Sequence, residues 1–191
     1  MFTNEQLDFL TSKKNFLIKN EVDQEVAQLL NRFQSSIAGL IDNKGIAFPS
    51  KVSKLPTKIT KGNNHNGFPF QVSDYPANLS KDNIFTFRAT IWYGNIFSFA
   101  VILSGEPKLN YREKLKTLLN KGFSVTLNEE VWQTEITPQN TLPFTDQNTP
   151  LILNKIRESE SFKIFKSFKM NHISDFERLG IDCFKELFLS N

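Results

Sequence analysis

The chain has 191 residues, 39% hydrophobic and 23% charged, which fits an ordinary globular composition and argues against a disordered chain. Its formal net charge of +3, from 23 basic and 20 acidic residues, excludes a polycationic surface and argues against nucleic acid as the main partner. Cys183 is the only cysteine, so an intrachain disulfide and a cysteine-based zinc cluster are both excluded.

The opening MFTNEQLDFL carries acids and polar residues where a signal peptide has a basic flank and an apolar run. No stretch of about 18 apolar residues is present to cross a membrane. The sequence therefore reads as a cytoplasmic, soluble chain with no membrane partner, and its length as a single domain over 1–191. Nineteen phenylalanines place much of the apolar content in large rings that need a thick core.

In chain order, TNEQLDFLTSKKNFLIKN reads as a helix with Leu7, Leu10, Phe16 and Leu17 on one side and Thr3 or Asn4 as its cap. A second helix follows, capped by Asn20, in which Val22, Val26, Leu29, Leu30, Phe33, Ile37, Leu40 and Ile41 recur at steps of three and four. DNKG stops it. Both helices are expected to bury their apolar sides in the core. From Ile46 to Asn83 the prolines and the cluster KGNNHNG predict loops and short extended pieces, with FPFQV as a brief strand and DYPANLSKDN as a turn-rich connector. No acid occurs between Asp42 and Asp74, while Lys44, Lys51, Lys54, Lys58 and Lys61 make this a locally basic segment.

IFTFRATIWYGNIFSFAVILSG reads as a β-hairpin. A three-residue loop, Tyr93-Gly94-Asn95, pairs Trp92 with Ile96 and sorts the two faces, whereas a two-residue loop mixes Phe and Ser on both. Phe85, Phe87, Ala89 and Ile91 then share the core face with Phe97, Phe99, Val101 and Leu103. Arg88 joins Thr86, Thr90, Ser98 and Ala100 on the other, and Asn95 is expected to take the left-handed position of the loop. PKLNYREKLKTLLNKG predicts a helix stopped at Gly122, and FSVTLNEEVWQTEIT a second hairpin turning at Glu129 and Glu130. TPLILNKIRES predicts a helix with Thr149 as cap and Pro150 at its first position, and the C-terminal ISDFERLGIDCFKELFLSN another. SFKIFKSFKM, residues 161–169, lies between helix and strand periods; its Phe content and length favour a strand without excluding a helix. Hairpins with helices between them give the α+β class: an antiparallel sheet packed on one face by N-terminal, middle and C-terminal helices.

Motifs for nucleophilic, phosphate-loop, dinucleotide or zinc-protease chemistry are absent, and nothing calls for a cofactor or a metal. With His65 and His172 as its only histidines, the chain has few candidates for acid–base work. Cys183, between Ile181 and Phe184, reads as a buried, inert thiol. Arg88 is the most pointed candidate, because its small neighbours leave room above the sheet for a carboxylate or phosphate held by the guanidinium fork, unless Asp74 or a glutamate fills that place.

The segment from KITKGNNHNGFPFQVSDYP through NIFTFRATIWYGNIFSF, with its DYP at Asp74 to Pro76 and its WYGN tip, resembles a family of small uncharacterised bacterial proteins. That resemblance implies no activity, cofactor or site residue.

The residues themselves favour a binding or interaction domain that recognises an anionic small molecule on a surface where Arg88, Trp92, Tyr75 and His65 converge. Two alternatives stay open: an enzyme with His65 or Asp74 as base and Arg88 as anion holder, and a weak nucleic-acid binder using Lys51, Lys54, Lys58 and Lys61 with Lys163 and Lys166. The sequence leaves the oligomeric state open.

Overall fold

Thr3 caps the first helix, α1 (Asn4–Thr11): its hydroxyl accepts from the Gln6 N–H while the Gln6 side chain accepts from the Thr3 N–H, a capping box. The structure, a computed structural model, describes residues 1–127 and 130–189 apart from the side chains of 112, 113 and 116. At Ser12 the backbone turns extended, ending α1, and the Ser12 hydroxyl caps α2 (Lys13–Lys44) by accepting from the Asn15 N–H. The expected boundary at Asn20 is thus displaced to Ser12, and Asn20 lies inside a helix of 32 residues. Gly45 ends it in the left-handed region, φ +58°, as DNKG foretells.

The region read as loops holds two strands, β1 (Thr60–His65) and β2 (Phe68–Asn78), joined by Asn66 and Gly67 at φ +50° and +85°. Two consecutive positive φ values are what a tight hairpin turn requires. FPFQV is therefore the start of a strand that runs on through DYPAN, whose register with the next strand breaks between Asp74 and Ala77. β3 (Phe85–Trp92) and β4 (Ile96–Ser104) pair in the anticipated register, Trp92 opposite Ile96 and Phe85 opposite Leu103. The left-handed loop residue is Gly94, φ +70°, rather than Asn95: glycine takes a positive φ with no Cβ penalty, and Asn95 donates its side-chain amide to the Tyr93 carbonyl.

After β4, α3 (Gly105–Leu115) ends in a 3-10 turn at Lys116–Leu118, short of the expected stop at Gly122. The second hairpin forms differently. β5 (Ser124–Thr126) pairs with β6 (Thr141–Pro143), so residues 130–140 form a long connection instead of a returning strand. The expected turn residue Glu129 lies outside the described residues, and Glu130 is exposed. α4 (Thr149–Glu158) is capped at Asn148 rather than Thr149, with Pro150 in its first turn. Residues 161–169 are a strand, β7 (Ser161–Lys169), paired with β4 along its whole length. α5 (Phe176–Phe188) closes the fold.

The sheet has seven antiparallel strands in the order β1-β2-β3-β4-β7-β5-β6, and the class is α+β. Alternation along β3 and β4 delivers Phe85, Phe87, Phe97 and Phe99 to the helix-covered face, each at most 1% exposed. Phe33 of α2 is the hub above them, its ring centroid 5.4 Å from those of Phe99 and Phe176 and 6.2 Å from Phe87. Gly180 of α5 allows this approach, since a Cβ there would lie 2.5 Å from the Phe33 ring and 2.6 Å from Phe99. Cys183 is buried in the same core, and burial pushes its thiol up to about 12, so it is an unreactive filler. Among the described residues no helix is long and apolar enough to cross a membrane.

Candidate functional site

β3 places Arg88 on the sheet face away from the helices, directly opposite Asp74 of β2. That adjacency decides what the guanidinium holds. Arg88 Nε donates to Asp74 Oδ1 and Nη2 to Oδ2, both at 2.8 Å, the bidentate fork that a ligand carboxylate would otherwise occupy. Thr86 adds a hydroxyl bond of 2.9 Å to Oδ1. The ion pair is largely enclosed, with side chains 19% and 12% exposed.

The enclosure comes from the connection between β5 and β6. Its segment Val131–Ile136 crosses the outer face and lays the Trp132 ring over Arg88, 4.4 Å from the guanidinium carbon. Thr86, Thr90 and Ala100, read as one side of a hairpin open to whatever lies above it, are 0%, 4% and 3% exposed. Beneath this strap remains a space of about 10 Å³, room for one water.

Lys163 of β7 enters the same layer, 7% exposed, donating to the Gln133 carbonyl and lying 5.2 Å from the Phe165 ring. Burial first, and the neighbouring Arg88 charge second, bring its amine down to about 8. The outer face is thus a clamp: two cations and one carboxylate tie β2, β3 and β7 to the strap.

The four sequence-derived site residues do not converge. Trp92 lies four residues from Arg88 along β3, about 13 Å at strand rise. It meets His65 instead: the ring centroids are 4.9 Å apart, and the indole N–H donates to the His65 carbonyl at 3.1 Å. His65 Nε2 is buried without a hydrogen-bond partner. Tyr75 is 3% exposed in the core on the helix side, its hydroxyl donating to the Lys54 carbonyl at 2.8 Å, and burial raises its phenol above the ordinary value. Trp92, Asn95, Ile96, Glu135 and Ile136 line an open depression of about 330 Å³, whose one charged lining residue is a carboxylate and so does not suit an anion.

The basic residues also separate. Lys163 and Lys166, three apart on β7, leave opposite faces: Lys163 joins Arg88, whereas Lys166 pairs with Glu186 of α5 over the Phe123 ring. Lys54 turns back to the Ile46 carbonyl. The described residues include no cluster of three His, Cys, Asp or Glu side chains able to hold a metal.

What sequence reasoning missed lies at the start of the chain. Leu7, Leu10, Phe16 and Leu17, assigned to the core, are 45%, 51%, 43% and 60% exposed, and among the described residues the apolar side chains that pack on the core begin only at Val26. Nine of the fifteen exposed large apolar side chains among the described residues fall within the first 22 residues. A signal was present: Phe16, Leu17 and Ile18 are consecutive, so this part of α2 is apolar on several sides rather than along one stripe.

Comparison with known proteins returns no match from family models, curated proteins or solved structures.

Proposed function

We propose that this chain is a binding domain that works by docking to protein, and that its docking element is the N-terminal arm formed by α1 and the first turns of α2. The observation behind this reading is the exposure of eight large apolar side chains, from Phe2 to Val22, each at least 42%. Isolated exposed apolar residues are ordinary; a continuous run on one projecting element marks an interaction surface. The anion-binding version of a binding domain loses its support at Arg88, whose fork is filled by Asp74 under the strap. The catalytic version loses both of its bases: Asp74 is already bonded by Arg88 and Thr86, and His65 packs on Trp92, away from Arg88.

Hydrogen exchange on the dilute full-length chain tests the reading. Amides of residues 4–25 are expected to exchange orders of magnitude faster than those of β3 and β4. Protection in the arm equal to that in the sheet, in a solution that contains only monomer, would mean that the arm packs on its own domain and offers no docking surface.

A further inference from the structure

We infer that the occupant of the arm is a second copy of this chain, bound through an antiparallel two-fold contact centred between Leu17 and Ile18; the inference rests on the arm being a docking element, as argued above. Lys14, Leu17, Ile18 and Glu21 stand at i, i+3, i+4 and i+7, so they share one face of α2. All four are exposed. The body of the domain contacts α2 elsewhere: the Asp23 carbonyl accepts from Gln71, and Leu30 and Phe33 enter the core. Phe9 of α1 packs on Phe16, 5.5 Å between ring centroids, on the far side of the helix from Ile18.

The face has the symmetry a two-fold contact needs. An apolar pair sits at its centre, a lysine at one end and a glutamate at the other. Antiparallel alignment about the midpoint sets Leu17 against Ile18 of the second copy and Lys14 against Glu21, twice over. Parallel alignment would set Lys14 on Lys14 and Glu21 on Glu21. Neither residue has a partner within the chain among the described residues, and at about 10 Å apart along the axis they cannot reach each other. Lys19, by contrast, is already held by Asp23 at 2.7 Å.

Charge speaks against a lipid surface, since residues 1–25 carry five acids and three lysines where an anionic membrane selects the reverse.

The test is the mass of the full chain in solution, by sedimentation or light scattering across concentrations, with four variants. The native chain is expected to run as a dimer and Leu17→Asp as a monomer with an unchanged thermal midpoint at low concentration. Lys14→Glu and Glu21→Lys are each expected to weaken dimerisation about tenfold by facing like charges at both ends, and the double exchange Lys14→Glu/Glu21→Lys to restore it. A chain that stays monomeric to high concentration while the arm exchanges freely would overturn the second copy and leave the docking element standing for another protein. A dimer indifferent to Leu17→Asp and to both single charge reversals would overturn the proposed contact. Binding of the monomer to phosphatidylcholine or phosphatidylserine vesicles, with no dimer formed, would overturn it in favour of a membrane.

Discussion

The two faces of the sheet are both covered, by different means. On one, α2 and α5 press Phe33, Phe176 and Phe184 onto Phe87 and Phe99, and the contact is mainly apolar, with neutral hydrogen bonds from Gln34 to Ser73 and from Gln71 to the Asp23 carbonyl beside it. On the other, a strap of irregular chain is held by Arg88, Asp74, Lys163 and the ring of Trp132. The helix face gains stability from area removed from water, which charge and pH barely touch. The strap face depends on charges withdrawn from water, which stabilise only while each keeps its partner. Variants on the two faces should therefore fail in different ways.

Phe33→Ala removes the aromatic hub and is expected to cost about 3–5 kcal/mol in urea unfolding, the same at pH 6 and pH 9. A loss below about 1 kcal/mol would show that the helix face is not close-packed. Lys163 gives the strap face its pH signature. Its folded value of about 8 lies below the ordinary 10.5, so between these the unfolded chain keeps a proton that the folded chain gives up. Lys163 should therefore make stability rise with pH across that window, with the burial penalty on its charged form fully present below pH 8. Lys163→Met should remove this contribution to the slope, and identical pH slopes for the two proteins would refute the assignment.

Arg88→Met leaves the Asp74 carboxylate partly buried with only Thr86 to bond it, at an expected cost of about 2 kcal/mol. Adding Asp74→Leu should recover part of that loss in a double-mutant cycle. Trp132→Ala has the smallest expected effect, on the order of 1 kcal/mol, because the ring is 38% exposed and its contribution is mainly the stacking over Arg88. Faster exchange confined to β2 and β3 around Asp74 would accompany it if the strap seals that face.

The helix face was legible because alternation is local: once the loop between β3 and β4 has three residues, the pleat sends every Phe of the pair to one side. The strap face was not, for a reason equally local. Alternation says that two faces differ and is silent on what a segment thirty or more residues away will lay across one of them. Val131 to Ile136 even alternates like a strand, but the partner that β5 takes is Thr141–Pro143, and the alternating side chains are used by the strap: Val131 is 3% exposed and Trp132 38%. β1 was hidden because TKGNNH has no apolar alternation, although the Asn66-Gly67 dipeptide was a hairpin signal in its own right. The candidate site shared this limit. Arg88 was found, and Asp74 was named as an occupant of its fork, but the strand pairing that sets them face to face is a property of β2, whose second half was read as a turn.

The rims of the sheet bear on how this molecule can meet another. One rim is β1, five polar residues and a glycine interrupted by an irregularity between Gly62 and His65, with Lys61 on it; the other is β6, three residues ending in Pro143. A short strand, a lysine, a bulge and a proline are each poor templates for an incoming strand. A chain with a seven-stranded sheet and nineteen phenylalanines would otherwise be exposed to edge-to-edge polymerisation. With both rims blunted, association is steered away from open-ended strand addition toward contacts that close on themselves.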